Sequence, residues 1–171
     1  MAQGLEKLTR GELEELVEIM AKDLIAIDGT WFQAVERAEG MDAAMDYDRA
    51  AWERYMPSET RRLKAFLGLP DQCGLEGIAR ALPLHCTSLC NEWDMTWEDD
   101  GSLLFRITDC RVQNARARKG MEFHPCKSVG LVEYTALARI LDDRVRCECV
   151  SCYPDITDTT CNCAWRFWVE G

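Results

Sequence analysis

The chain has 171 residues, of which 47% are apolar and 29% charged, and its net charge is −10. That length and balance fit a single domain over 1–171 with a real hydrophobic core. An acidic surface repels phosphate backbones and anionic lipid, and no stretch approaches the roughly 18 apolar residues of a membrane span, so neither nucleic acid nor a membrane is an expected partner.

Met1 to Leu8 contains no apolar run, so no secretory leader is expected and the chain is assigned to the cytoplasm. Thr9-Arg10-Gly11-Glu12 is a capping box, and the helix it opens is expected to run to Gly40. Leu13, Leu16, Val17, Met20, Leu24, Ile27 and Trp31 mark its apolar face. A second helix is predicted from about Asp42 to Tyr55, with Asp48 on its apolar stripe. Pro57-Ser58-Glu59 restarts a helix that Gly68 and Pro70 close, and a short helix covers Leu75 to Leu82.

The second half changes character. Trp93, Met95 and Trp97 alternate with polar residues, Asp99-Asp100-Gly101 turns the chain, and Leu103, Phe105 and Ile107 alternate after it. Arg111 to Lys119 is a basic helix and Gly130 to Leu141 an amphipathic one. Val145 to Cys152 and Cys161 to Val169 read as two more strands. A helical half (about 1–82) followed by an antiparallel sheet with packed helices (about 83–171) is an α+β plan.

Ten cysteines in a cytoplasmic chain point to metal binding or catalysis rather than to a disulfide framework. Cys147, Cys149, Cys152, Cys161 and Cys163 place five thiols on one hairpin. Soft thiolates suit zinc and iron–sulfur clusters, and four sulfurs complete a tetrahedral site. In a regular strand Cys147 and Cys149 share a face and Cys152 lies on the other, so all five cannot hold one ion. Cys126 starts a helix beside Lys127 and near His124, a setting expected to lower a thiol pKa.

Five motifs in order carry a resemblance: Asp28-Gly29-Thr30-Trp31-Phe32 with Glu36, Cys110-Arg111-Val112-Gln113 with Arg116 and Lys119-Gly120, Phe123-His124-Pro125-Cys126-Lys127-Ser128-Val129-Gly130, Cys152-Tyr153-Pro154-Asp155, and Cys163-Ala164-Trp165-Arg166-Phe167. Over nearly its whole length the chain resembles a family of small cytosolic bacterial and archaeal proteins, domain of unknown function 6125. The resemblance implies Cys110, Cys126, Cys152 and Cys163 as the family's cysteines, with Cys147, Cys149 and Cys161 as alternates. More distantly, the C-terminal half looks like the 2-aminothiazoline-4-carboxylate hydrolase family and the vinyl-reductase-type ligand-binding domains, which implies a small-molecule pocket without transferring an activity.

Asp28, Glu36 and Asp48 are inward carboxylates that would suit a hard metal, yet the Glu-x-x-His partner is missing, and neutralisation by Arg61 and Arg62 is the stronger expectation. Arg111, Arg116, Arg118, Lys119 and Lys127 form a basic island for a carboxylate ligand, or a solvated helix face. His85, Cys86 and Cys90 carry a second metal-like spacing, with packing the simpler reading.

Three functions follow as expectations. The first is a metal protein on Cys110, Cys126, Cys152 and Cys163, zinc first and an iron–sulfur cluster second. The second is a hydrolase-like enzyme with Cys126 as nucleophile, His124 as base, and Arg111, Arg116, Lys119 and Lys127 anchoring a carboxylate. The third is a non-catalytic ligand-binding or sensing module, without a cofactor, with a cavity between helices and sheet, Trp31, Trp165 and residues near Cys126 on its wall and the basic island at its rim.

Overall fold

The structure is a computed structural model that describes residues 4–170. Its N-terminal half is helical: α1 (Arg10–Glu39), α2 (Met41–Leu67) and the short α3 (Gly74–Ala81). Two antiparallel strands follow, β1 (Glu92–Trp97) and β2 (Leu103–Asp109), then α4 (Arg111–Arg118), α5 (Lys127–Leu141), β3 (Val145–Cys152) and β4 (Cys163–Val169). The four strands form one antiparallel sheet in the order β1-β2-β4-β3, so the architecture is α+β as expected.

The capping box is formed: the Thr9 side chain accepts from the Glu12 N–H while Glu12 accepts from the Thr9 N–H, and Gly40 caps the far end. The buried face of α1 is not the stripe richest in apolar residues. Ala21, Ile25 and Phe32 are buried, whereas Val17, Met20, Leu24, Ile27 and Trp31 are exposed. The inward face carries Asp28 and Glu36, polar positions that periodicity of apolar residues alone counts against. Pro57 does not break the second helix either, and α2 is continuous through it. The carbonyl that loses its partner there, four residues earlier, belongs to solvent-exposed Glu53, while Trp52, Met56, Thr60 and Leu63 keep one buried face on both sides of the proline.

The sheet is two-sided. Its solvent face carries ion pairs: Arg106 grips Asp94 at 2.8 and 2.7 Å, and Arg166 meets Asp100 and Glu148. Its inner face carries Leu103, Phe105, Ile107, Trp165 and Phe167, all essentially fully buried. Helix α5 begins three residues before the Gly130 start expected from its apolar spacing, and it lies on this face through Val129, Tyr134, Leu137, Ala138 and Leu141. The Tyr134 ring stacks on Trp165 at 4.7 Å between centroids.

Strand β3 is not regular. Cys149 opposes Trp165 but Ser151 opposes Ala164, so one extra residue, Val150, is bulged out and exposed. The bulge returns Cys152 to the face of Cys147 and Cys149, against the alternation expected of a regular strand. Cys152 then sits directly opposite Cys163.

Gly130 sets how closely α5 approaches the sheet. A Cβ there would lie 2.5 Å from the Trp165 indole, far inside van der Waals contact. Gly130→Ala is therefore expected to lose about 1–3 kcal/mol by overpacking, although alanine is the better helix former. Urea unfolding measures this, and an unchanged or raised midpoint would contradict the close approach.

Candidate functional site

Between the helices and the sheet lies a cavity of about 280 Å³. Ile25, Asp28 and Phe32 of α1, Asp48 and Trp52 of α2, Glu133 of α5 and Trp165 of β4 contribute to its wall. The sequence placed such a cavity here and put Trp165 and Cys126 on it. It also named Trp31, which lies instead on the outer face of α1, 54% exposed; Trp52 holds the wall.

His124 and Cys126 come together although only two residues apart. The Cys126 Sγ lies 3.1 Å from His124 Nδ1, and His124 Nε2 faces Asp48 Oδ2 at 3.4 Å. The imidazole packs on Phe32, with centroids 4.4 Å apart, which fixes its plane. Buried Gln113 holds the loop: its side chain accepts from the His124 N–H and donates both to the His124 carbonyl and to Cys126 Sγ at 3.1 Å. A carboxylate, an imidazole and a thiol are thus aligned at the cavity wall.

The thiol is not acidified as its helix-start position suggested. The hydrogen bond with Cys152 lowers the Cys126 pKa, but burial and the neighbouring Cys110, Cys163 and Glu133 together carry it above the ordinary value. Lys127 gives no help because it is paired with Asp155 at 2.8 Å.

The four cysteines Cys110, Cys126, Cys152 and Cys163 all line the cavity. Cys152 is their hub, and its thiol hydrogen-bonds with Cys126, Cys149 and Cys163. Burial pushes Cys110 up to about 11, and the Cys152 contact followed by burial raises Cys163 well above the ordinary thiol range. Cys149 alone is shifted down, chiefly by its hydrogen bond with Cys152 and then, against the cost of burial, by the Lys127 charge. Cys147 is raised by burial, and Cys161, at the hairpin loop beside Asp158, is pushed up to about 12.

Most of the basic island is committed elsewhere. Arg116 is buried and holds Glu36 through two hydrogen bonds of 2.8 and 2.7 Å, and Lys119 donates to Gln33. Arg111, Arg118 and Lys119 remain exposed on the cavity lining. Glu36 is neutralised from the C-terminal half, by Arg116, and not by Arg61 or Arg62, which are exposed; Asp48 is faced by His124. Sequence reading found Asp48 on a buried stripe but not its partner, which comes from a distant loop. Gln113 stood in a quoted motif without a role.

The chain belongs to the family of unknown function DUF6125, whose match covers residues 6–169. No curated protein and no solved structure matches it. Among the described residues no helix is long and apolar enough to cross a membrane.

Among the described residues, Asp28 is the cavity carboxylate with no cationic partner in contact. Burial, and then the Asp48 charge, raise its pKa from 3.8 to about 6. The folded state therefore holds a proton that the unfolded chain releases between about pH 4 and 6, and stability falls as pH rises through that window. Asp28→Asn is expected to match the parent near pH 4 and to exceed it by on the order of 1–3 kcal/mol at pH 8. Urea unfolding at both pH values tests this, and a difference independent of pH would refute the assignment.

Proposed function

We propose that the chain is a thiol-dependent hydrolase of a small carboxylate-bearing molecule, with the cavity as its active site. The observation that carries the proposal is the alignment of Cys126, His124 and Asp48 at the cavity wall, at 3.1 and 3.4 Å. A nucleophile within reach of a base, and a base oriented by a third group, is the arrangement nucleophilic catalysis needs.

His124 Nδ1 takes the Cys126 proton as Sγ attacks an amide carbonyl carbon. That proton passes to the departing nitrogen as the C–N bond breaks, leaving a thioester on Cys126. Water, deprotonated by His124, then releases the acid and restores the thiol. Asp48 stabilises the imidazolium formed in each step. At the start of α5 the Lys127 amide is taken by the Tyr153 carbonyl and the Gly130 amide by the Cys126 carbonyl, so those of Ser128 and Val129 are the donors for the developing oxyanion. Arg111 and Arg118 supply charge for the substrate carboxylate.

A second reading puts a metal on Cys110, Cys126, Cys152 and Cys163, zinc before an iron–sulfur cluster. The hub at Cys152 favours it, since a metal would replace the protons these buried thiols hold. A closed zinc tetrahedron, with Zn–S bonds of about 2.3 Å, sets every sulfur about 3.8 Å from the others. Among the described residues no three of these sulfurs lie within 4.8 Å of one another. Elemental analysis of anaerobically purified protein separates the readings, because near-stoichiometric metal lost in Cys152→Ser would favour the second.

Limited iodoacetamide treatment with peptide mapping tests the first. Cys149 is expected to label early in every variant. Cys126 should label faster than Cys73 or Cys86 in the parent and lose that lead, by roughly tenfold, in His124→Ala. No lead for Cys126, or a lead that survives loss of His124, would remove the base from the mechanism.

A further inference from the structure

Away from the Cys126 wall, α2 and the segment after α3 meet around a buried imidazole. His85 has no solvent exposure, and carboxylates flank both its nitrogens: Nδ1 lies 2.9 Å from Glu59 Oε1 and Nε2 lies 2.7 Å from Glu133 Oε1. The Cys86 Sγ is 3.9 Å from the same Nδ1. The second oxygen of Glu59 is buried with no hydrogen-bond partner among the described residues. Such an orphan lone pair carries a desolvation cost that a cation would remove.

We propose that Glu59, His85 and Cys86 form a binding site for a divalent transition metal, zinc by donor type. The three ligand atoms already lie within 4.8 Å of one another, and among the described residues they are the one such group. Tetrahedral zinc with Zn–N and Zn–O near 2.0 Å and Zn–S near 2.3 Å would set N···O at about 3.3 Å and N···S at about 3.5 Å. The observed 2.9 and 3.9 Å each differ from these by about 0.4 Å, a movement within side-chain reach. Oxygen, nitrogen and sulfur donors together suit a borderline cation rather than magnesium or calcium. The metal takes the place of the proton shared between His85 Nδ1 and Glu59.

The surroundings fit a ligand histidine. A metal-bound imidazole ordinarily donates its other N–H to a carboxylate, and Glu133 occupies that place. Thr87 donates to the same Glu133 oxygen at 3.0 Å and holds it there. Glu133 also lines the cavity, so the site stands directly behind the proposed active site. The inference does not rest on the role of Cys126.

The test is titration of the full-length protein with Zn²⁺ and with Co²⁺, in the parent, Cys86→Ser, Glu59→Gln and Cys126→Ser. The expected result is one metal per chain, an intense thiolate-to-cobalt absorption band, and loss of the band in Cys86→Ser. Affinity should fall at least tenfold in Cys86→Ser and Glu59→Gln and hold in Cys126→Ser. If Cys86→Ser misfolds, Glu59→Gln carries the comparison alone, since it leaves both softer ligands in place. Absence of binding, or binding lost in Cys126→Ser but kept in Glu59→Gln, overturns the site. That second pattern would place the metal among the cavity cysteines instead, and it would be read independently of any hydrolytic assay.

Discussion

Arg116 reaches from α4 across to α1 and closes on Glu36 with both terminal nitrogens, while its Nε donates to the Glu122 carbonyl in the loop before α5. One buried guanidinium thereby joins the helical half to the loop that carries His124 and Cys126. Gln113, one helical turn earlier, fixes the same loop by its backbone on both sides of His124. The positions of the imidazole and the thiol depend on these two side chains of a two-turn helix. Removing one member of a buried, hydrogen-bonded ion pair commonly costs on the order of 3–5 kcal/mol, because the other is left unpaired. A loop of seven residues, Gly120 to Cys126, acquires in this way the rigidity that aligned catalytic groups need.

The opposite wall depends on the bulge at Val150. Without the extra residue, Cys152 would face the charged side of the sheet, among Arg106, Arg166 and their partners. With it, Cys152 meets Cys163 across the strands and Cys126 from α5. The buried Ser151 hydroxyl then accepts from the Thr157 and Asp158 amides and ties down the loop that follows. Gly130 lets α5 approach near enough for its N-terminal Cys126 to share that wall with Trp165. Bulge, glycine and clamp bring groups from β3, β4, α4 and α5 to one cavity.

Much of the fold was legible because local signals and tertiary packing agree. The Thr9–Glu12 box, the Gly40 stop, the Asp99-Asp100-Gly101 turn and the alternation through Leu103, Phe105 and Ile107 each state a backbone geometry with its reason. The misreadings share one cause, that long-range packing outweighed the local pattern. The apolar stripe of α1 lost to a face whose Glu36 finds Arg116. Pro57 stayed helical because α2 buries one face on both sides of it. For the site, motif order singled out Cys110, Cys126, Cys152 and Cys163, and all four line the cavity. The partners of Asp48 and Glu36 were not legible, because both arrive from residues 76 or more positions away, where no spacing rule operates.

The cavity combines an aligned thiol and imidazole, a carboxyl whose pKa is raised to about 6, and exposed arginine and lysine side chains on its lining. Such a collection has few structural uses, since every buried ionisable group in it costs stability. The most direct test traps the covalent intermediate. The protein is incubated with a short dicarboxylic acid carrying one p-nitrophenyl ester and is then analysed by intact mass and peptide mapping. The account predicts a single acyl group on Cys126 that turns over in water, forming more slowly in Asp48→Asn. No adduct, or acylation spread over accessible thiols such as Cys149 and unchanged in Asp48→Asn, would contradict it.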